Sequence, residues 1–481
     1  VYNYANRNNE NPRVNTTFGC TSQYGMIFGD RLYVMSKQNH DSGDRYLTGG
    51  GRLVIADAKT LKRIHSFDVI GAEEKRGGDG RACVGVAADK VYIGHHAGIR
   101  VLNIDNDAAT PEDMFKLGKE LTFSDAVGDL TPGNPQGALY SNQIGDMVYA
   151  CGHVFAVMQD KGLLVIDTEK DEHICTLGDN YVQAVTQSAD GDIWYARNNT
   201  ETGVVSLHRV NPETLEETET YELPESAGTI NTGWGAWRSA NFFASREKNV
   251  LFWGNVGSGY KDDILGKGTG CIFRWEIGEE LPTEPFFNLG QRPGKDAETF
   301  QSPYATMRYD DRNDRILMVT THGASFNYRY NWIYFINGTT GEIEKVQEMK
   351  RYFWFPSMPI FPDKYDVEIS LDEINLKSIG EYEDIDLTEF FSDPDNIDRN
   401  IKIVAEEVEE VPEARSEEVN NGLSFEMVGA KTLRIKCNDT AMHQLKLTAE
   451  SNGRQVSRII PVSYSVNTGI SSILGMTTSI E

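Results

Sequence analysis

The chain has 481 residues, which is too long for one ordinary single-core domain and predicts two or more units. Its formal net charge of −26 argues against binding to nucleic acid or to an anionic membrane face, because both need a concentrated basic surface. No apolar run is long enough to span a bilayer, so we expect a protein that does not cross the membrane.

The chain begins at Val1 rather than Met, from which we expect that an export signal was cleaved or that the chain was shortened. Six cysteines are spread along the sequence, and none of them forms a CxxC pair. A clustered zinc site is therefore not expected. Buried free thiols are the expectation for most of them, and a disulfide between distant loops stays open.

The dominant signal is an internal repeat that begins with a polar turn and continues as an alternating apolar strand. The first copy reads GDRLYVMS. The copies lie at residues 29–36, 88–95, 152–159, 191–198, 248–255 and 314–321.

A second element follows each copy and consists of a β-rich run, a polar turn and another short strand. The β-rich run often ends in Asp or Asn, as at Asp57 and Asn337. These elements lie at residues 51–64, 98–107, 162–174, 203–218, 270–281 and 331–346. A further strand-like stretch such as CTSQYGMIF precedes the first element, so each unit has four strands. Six such units predict the blades of a β-propeller.

A closed propeller needs a partner for its first and last blades, and this predicts a seventh blade split between the two ends of the region. The run YFWFPSMPIFPD at 352–363 has the aromatic character of an inner strand. The N-terminal run VYNYANRNN supplies an outer strand beside it in this hypothesis. We therefore predict an all-β fold with a seven-bladed propeller over residues 1–363, with six or eight blades as alternatives.

The composition changes after Pro362, and residues 364–466 read as seven short alternating strands. The runs are DVEISL, IDLTEFF, IKIVAEEV, LSFEMV, TLRIKC, HQLKLTAES and VSRIIPVSY. Strands of this kind over about a hundred residues predict a small Ig-like β-sandwich. The polar, small-residue tail at 467–481 is predicted to be flexible.

Several of the propeller runs resemble a known family. QYGMIFGDRLYVMSKQ, GRLVIADAKTLK, GLLVIDTEKDE and FWFPSMPIFPD are similar to the YncE-like, surface-layer-type propellers that Bacteroidete bacteria export. The resemblance covers residues 1–363 and implies a seven-bladed ring, export to the outer-membrane surface or periplasm, and often a lipid anchor. Some members resemble cobalamin-capturing lipoproteins that sit beside an outer-membrane transporter.

Residues 385–398 and 447–464 resemble bacterial cadherin-like modules, in which acidic residues hold calcium. Aspartate oxygens are suitable calcium ligands, and calcium is the one cofactor that the sequence suggests. The alternative is that these residues cap turns by accepting backbone N–H groups. The calcium candidates are Asp384, Asp386, Asp393, Asp395 and Asp398.

Ligands are expected at the loops that lead into the inner strands of a propeller. Flat aromatic, amide and guanidinium side chains suit a planar polar ligand such as a sugar or a corrin ring. The alternative is that the aromatics only pack between blades. Because strand neighbours point to opposite faces, we expect Arg238 or Trp234 at the rim and Trp237 between blades. The candidates are Gln23, Tyr24, Arg81, Asn142, Gln143, Gln183, Trp234, Arg238, Tyr304 and Trp354.

The sequence carries no HExxH motif, and carboxylate pairs mean little in so acidic a chain. We therefore predict a protein that is not an enzyme and that captures a small molecule or glycan after export. A cobalamin-like ligand and an outer-membrane transporter are the partners that the resemblance implies. The alternatives are a polysaccharide-acting lyase or hydrolase, and a purely structural or protein-interaction propeller.

Overall fold

The computed structural model divides the chain into two compact units. The first comprises Val1–Lys364 with two short later segments, Asp395–Asn400 and Asn452–Arg454. The second comprises Tyr365–Pro394, Ile401–Ser451 and Gln455–Glu481. The structure describes residues 5–6, 18, 20–38, 52–71, 80–124, 143–227, 230, 241–254, 271–289, 301–303, 307–322, 327–349, 359–408 and 422–464.

Six antiparallel sheets are described in the first unit, and we call them blades I to VI in chain order. Blade I consists of β1 (Cys20–Phe28), β2 (Arg31–Gln38), β3 (Leu53–Asp57) and β4 (Arg63–Phe67). Blade II consists of β5 (Gly80–Ala87), β6 (Lys90–His95), β7 (Gly98–Ile104) and β8 (Phe115–Thr122). A short helix, α1 (Pro111–Met114), precedes β8.

Blades III and IV have the same four-stranded order. Blade III consists of β9 (Ile144–Ala150), β10 (His153–Met158), β11 (Gly162–Asp167) and β12 (Glu172–Leu177). Blade IV consists of β13 (Val182–Gln187), β14 (Ile193–Asn198), β15 (Val205–Val210) and β16 (Glu217–Glu222).

Blade V is also four-stranded, whereas the first strand of blade VI is described in two pieces that both pair with β23. Blade V consists of β17 (Phe242–Ala244), β18 (Val250–Gly254), β19 (Cys271–Glu276) and β20 (Phe287–Asn288). Blade VI consists of β21 (Gln301–Pro303), β22 (Arg308–Asp310), β23 (Arg315–His322), β24 (Asn327–Asn337) and β25 (Ile343–Met349). Short 3-10 helices lie at Glu225–Ala227, Asp311–Asn313, Thr388–Phe390 and Asp398–Asn400.

The first strands of successive blades lie beside one another from β1 to β22, so they form the inner wall. Apolar side chains fill the space between neighbouring blades. Tyr33 and Ile93 lie in the core that blades I and II share, and Trp194 and Trp253 lie in the core of blades IV and V. All four side chains are fully buried. Four-stranded antiparallel blades packed through common inner strands are the architecture of a β-propeller, which confirms the predicted four-stranded repeat.

The hairpin between the third and fourth strands repeats one turn. In blade I the Asp57 carboxylate accepts the backbone N–H groups two and three residues later, at 3.1 and 2.6 Å. In blade VI the side chain of Asn337 does the same at 3.0 and 2.8 Å. The residue four positions after the Asp or Asn has a positive φ, 59° at Leu61 and 74° at Gly341. An Asp or Asn at the strand end thus starts the turn by satisfying its backbone donors.

The second unit has two principal sheets that share one apolar core. One sheet has the order β27 (Ile374–Leu376), β34 (Arg454–Tyr464), β33 (His443–Ser451) and β30 (Lys402–Glu407). The other has the order β28 (Glu383–Asp386), β32 (Thr432–Cys437) and β31 (Leu423–Met427). A small pair is formed by β26 (Glu368–Ile369) and β29 (Phe391–Ser392).

Candidate functional site

The innermost strands carry β-bulges close to the end at which each strand begins, which we call the top face of the propeller. In β1 the register shifts between Ser22 and Tyr24, so Gln23 is the extra residue. In β13 it shifts between Val182 and Ala184, so Gln183 is the extra residue. A bulge breaks strand alternation and turns a side chain out of the regular pattern.

Blades II and III repeat this irregularity. The register of β5 shifts between Gly80 and Ala82, which makes Arg81 the extra residue. The pairing of β9 with β10 shifts between Ala156 and Met158. Four successive inner strands are therefore irregular at the same end.

Three of the predicted ligand residues occupy these bulges. Arg81 is only 5% exposed, and its Nη1 donates to the carbonyl oxygen of Gly80 at 3.4 Å. Gln183 is half-buried. Only the backbone of Gln23 lies within the described residues. The bulges thus bring Gln23, Arg81 and Gln183 to equivalent positions of blades I, II and IV.

Buried polar side chains also lie at the top ends of strands in blades II and III. His95 ends β6 opposite Gly80, and His96 follows it with its ring centre 5.5 Å away. Gln143, another predicted ligand residue, lies immediately before β9 and is 2% exposed. Sequence reasoning had not assigned the two histidines to this site, and their position at the end of a second strand was the available signal.

The carboxylate of Glu120 joins this polar group to the outer strand β8. Its two oxygens lie 3.4 Å from His95 Nε2 and 2.8 Å from Arg100 Nη1. The nearby His95 imidazole lowers the pKa of the Glu120 carboxyl below its ordinary value, against the opposing effect of burial. Glu120 is therefore a carboxylate that balances part of the positive charge of the surrounding side chains.

The hydroxyl of Tyr24 on β1 is influenced by side chains of three other inner strands. Burial raises the pKa of its hydroxyl to about 12, while the guanidinium of Arg308 on β22 opposes this shift and hydrogen-bonds to it. The carboxylate of Asp146 on β9 and the thiol of Cys83 on β5 add to the increase in pKa. Side chains from blades II, III and VI thus act on the half-buried phenol of Tyr24 in blade I.

The opposite end, where each inner strand turns into the second strand, is the bottom face. The segments Asp395–Asn400 and Asn452–Arg454 contact its turns within the first unit. Arg399 Nη1 donates to Asp192 at 2.8 Å in blade IV. Arg246 of blade V donates to the carbonyl oxygen of Asp395 at 2.8 Å, and Gly29 N of blade I donates to Asn452 at 2.7 Å. Turns of blades I, IV and V are thus bound at this face.

The calcium candidates have other partners. Asp384 accepts two hydrogen bonds from Arg434 at 2.8 and 2.9 Å, and Asp386 caps Thr388 N at 2.9 Å. Asp395 accepts a hydrogen bond from Arg312 at 3.1 Å. Asp393 is buried, and Asp398 begins a 3-10 helix. Within the described part of the chain, no three His, Cys, Asp or Glu side chains form a group that could hold a metal ion.

The remaining predicted ligand residues lie outside the described residues. They are Asn142, Trp234, Arg238, Tyr304 and Trp354. Trp237, which was expected between blades, lies outside them as well.

The second unit has a groove of about 670 Å³ on the outer face of its three-stranded sheet. Tyr382, Arg434 and Glu426 are among the residues that line it. Lys436 lies 4.7 Å above the ring of Tyr382. Sequence reasoning missed this groove, and the outward-facing cations of TLRIKC were the available signal.

Comparisons with solved structures give similarities of low sequence identity. A quinonprotein alcohol dehydrogenase-like protein from Bacteroides thetaiotaomicron is 12% identical, with 70% of this chain and 68% of that chain covered and a TM-score of 0.45. Hydrazine synthase from Kuenenia stuttgartiensis is 12% identical, with coverages of 67% and 78% and a TM-score of 0.42. BamB from Moraxella catarrhalis is 12% identical, with coverages of 61% and 68% and a TM-score of 0.34.

A search of curated proteins found no match. Among the described residues, no helix has the length and apolar character needed to cross a membrane. The model of one protein family matches residues 2–362, which is the region that contains all six described blades. The chain belongs to that family, whose description is Domain of unknown function (DUF5074).

Proposed function

We propose that this chain is an exported, cell-surface propeller that captures a small molecule or glycan at its top face. The observation that carries the proposal is the series of bulges at the top ends of four successive inner strands. Bulges are frequent next to binding sites, because they turn a side chain out of the strand pattern. They make Gln23, Arg81 and Gln183 the extra residues of their strands, and amide and guanidinium groups of these residue types suit the orientation of polar ligands.

Hydrogen bonds at the bottom face favour the top face as the side where the ligand binds. Arg399 and Asp395 engage turns of blades IV and V through charged or backbone partners. Asn400 Nδ2 donates to Gln187 Oε1 at 2.7 Å, at the bottom end of β13. A ligand that entered from this side would have to displace these hydrogen bonds, so the top face is the favoured side for capture.

The seven-bladed ring of YncE-like propellers is part of the proposal. Blade I has a second apolar face, where Leu32 and Val54 pack with Ile360. Near the N-terminus, Asn6 Nδ2 donates to Leu61 O at 2.7 Å, and Asn6 Oδ1 accepts from Arg63 N at 2.6 Å. These contacts bring residues from both ends of the propeller region to blade I, which supports a seventh blade built from both ends.

Within this proposal, the second unit is an Ig-like module, and an outer-membrane transporter receives the captured ligand. The alternating burial of β32 and β33 supports the module, because one face of each strand lies in the shared core. A cobalamin-like ligand or a glycan remains the favoured chemistry, because planar polar groups suit the side chains at the bulges.

A thermal-shift screen of the full chain tests the proposal. The probes are cyanocobalamin, neutral oligosaccharides and acidic oligosaccharides. A ligand that binds only the folded state at 100 times its Kd stabilises that state by about 2.7 kcal/mol, so its melting temperature rises. We expect at least one probe class to give such a rise.

A pair of variants on β13 locates the binding site. Gln183→Ala removes the bulge side chain, and we expect about fivefold weaker binding, as for the loss of one hydrogen bond. Thr186→Ala is the control, because Thr186 is also half-buried on β13 but lies towards the bottom face. The absence of any stabilising probe argues for a structural propeller, and equal effects of both variants argue against the top face.

A further inference from the structure

A serine, a histidine and a glutamate form a connected chain on the third and fourth strands of blade IV, outward from the inner strand β13. Ser206 Oγ lies 2.8 Å from His208 Nε2. His208 Nδ1 lies 2.9 Å from Glu217 Oε1. Ser206 and His208 are two residues apart on β15, so strand alternation sends both side chains to the same face. Glu217 comes from the adjacent strand β16.

The surroundings of Glu217 determine which nitrogen of His208 carries the proton. Tyr195 donates its hydroxyl to Glu217 Oε2 at 2.6 Å, and Thr220 donates to Oε1 at 2.7 Å. Burial alone would raise the pKa of Glu217, but the hydrogen bonds from Tyr195, His208 and Thr220 lower it. The carboxylate is therefore ionised at neutral pH and accepts the Nδ1 proton. Nε2 is then the basic nitrogen, and Ser206 donates its hydroxyl hydrogen to it.

The imidazole is also held in a fixed orientation. The ring of Tyr195 stacks on His208 with 4.6 Å between ring centres and 4° between ring planes. The histidine side chain is 13% exposed and that of Glu217 is 40% exposed, whereas Ser206 is 4% exposed. In this arrangement a hydroxyl is hydrogen-bonded to an oriented imidazole, and the imidazole is hydrogen-bonded to a carboxylate. The same arrangement activates serine nucleophiles on unrelated folds.

From this geometry we propose that Ser206 is a nucleophile for acyl transfer, with His208 as its general base and Glu217 as a positioning residue. This ester hydrolysis goes beyond the proposed ligand capture and does not rest on it. The low exposure of Ser206 limits the substrate class to esters of small acyl groups. Arg197 lies directly opposite Ser206 in the strand register, and its guanidinium is held by the carboxylate of Asp179 at 2.6 Å.

The reaction balances with water as the second reactant. Ser206 Oγ bonds to the ester carbonyl carbon while its proton passes to His208 Nε2. The carbon–oxygen bond to the leaving alcohol then breaks, and that alkoxide takes the proton from Nε2. Water attacks the acyl-serine by the same route, which releases the carboxylic acid and restores the Ser206 hydroxyl.

Labelling of the full chain with a biotinylated fluorophosphonate tests the proposal, with the adduct located by peptide mass spectrometry. We expect the adduct on Ser206. His208→Gln should slow labelling by about 10²–10⁴-fold, which is the usual contribution of a general base. Glu217→Gln should also slow labelling. The rate of p-nitrophenyl acetate hydrolysis should also decrease in His208→Gln and in Glu217→Gln, and it should be lost in Ser206→Ala.

His173→Gln is the matched control, because exposed His173 lies 2.9 Å from the Thr176 hydroxyl through its own Nε2. Its labelling rate should equal that of the wild-type chain. Melting temperatures of all variants separate loss of folding from loss of the base. Absence of an adduct on Ser206 in the folded wild-type chain overturns the proposal. A folded His208→Gln chain that is labelled at the wild-type rate also overturns it.

Discussion

Asp314 lies in the turn between the inner and second strands of blade VI and connects that blade to its neighbour. Burial alone would raise its pKa, but hydrogen bonds from Lys248, Thr339 and Tyr309 lower it from 3.8 to about 2. Lys248 Nζ lies 2.8 Å from Asp314 Oδ1. Because the pKa is lower in the folded state, the unfolded chain binds more protons between these values, and acid therefore favours unfolding.

Asp314→Asn should reduce stability in a manner that depends on pH. The substitution keeps the size of the side chain and its tolerance of the positive φ at this position, but it removes the charge. We expect the largest difference in melting temperature from the wild type above the ordinary pKa of 3.8 and a vanishing difference as pH falls through about 2. Differential scanning fluorimetry at a series of pH values measures the melting temperatures of both chains. Asp68→Asn, at an exposed aspartate, is the control and should leave the melting temperature unchanged.

Individual site residues were only partly predictable from sequence. Arg81 and Gln143 stand before apolar strand patterns, and that position was enough to select them. The bulge that makes Arg81 an extra residue was not predictable, because residues 80–83 are all buried and show no alternation in which an extra residue would be visible. The hydrogen bond between Asp395 and Arg312 was also not predictable, because the two residues lie 83 positions apart in the sequence.

At the scale of elements, the turn between the third and fourth strands of a blade contains one residue with left-handed backbone conformation. Leu61 has a φ of 59° there, and Gly341 of blade VI has a φ of 74°. A Cβ placed on Gly341 would lie 2.7 Å from the carbonyl oxygen of Phe286. Gly341 therefore meets two requirements, a positive φ and close approach to another backbone.

Gly341→Ala should destabilise the chain more than Gly203→Ala. Gly203 has a similar φ of 76°, but a Cβ added there would have no neighbouring atom within 4 Å, so only the backbone cost applies. We expect about 1–2 kcal/mol for Gly203→Ala and about 2–4 kcal/mol for Gly341→Ala, because the added carbon must displace a carbonyl group. Urea unfolding measures both values. Equal losses of stability would show that the contact with Phe286 does not matter.

Element boundaries were predictable where alternation was strong. CTSQYGMIF became β1, and TLRIKC became β32 with every second residue buried. Each strand buries one face, so its period of two is visible in the sequence.

At the scale of the whole molecule, the first unit combines regular blades with contacts between residues distant in sequence. The predicted repeat accounts for the six described sheets, because each blade has the same four-strand order. It does not account for Asp395–Asn400, whose residues contact turns more than a hundred residues earlier, such as Asp192 and Arg246. Such contacts depend on charge and shape at the bottom face and have no periodic signal in the sequence.

Capture at the top face is most directly tested by hydrogen–deuterium exchange of the full chain, with and without the probe that raises its melting temperature most. We expect slower exchange of backbone amides at residues 80–84 and 181–184, where β5 and β13 carry their bulges. We expect unchanged exchange at residues 188–192, in the bottom turn of blade IV. Protection confined to that bottom turn, or to the groove beside Tyr382 in the second unit, would contradict it.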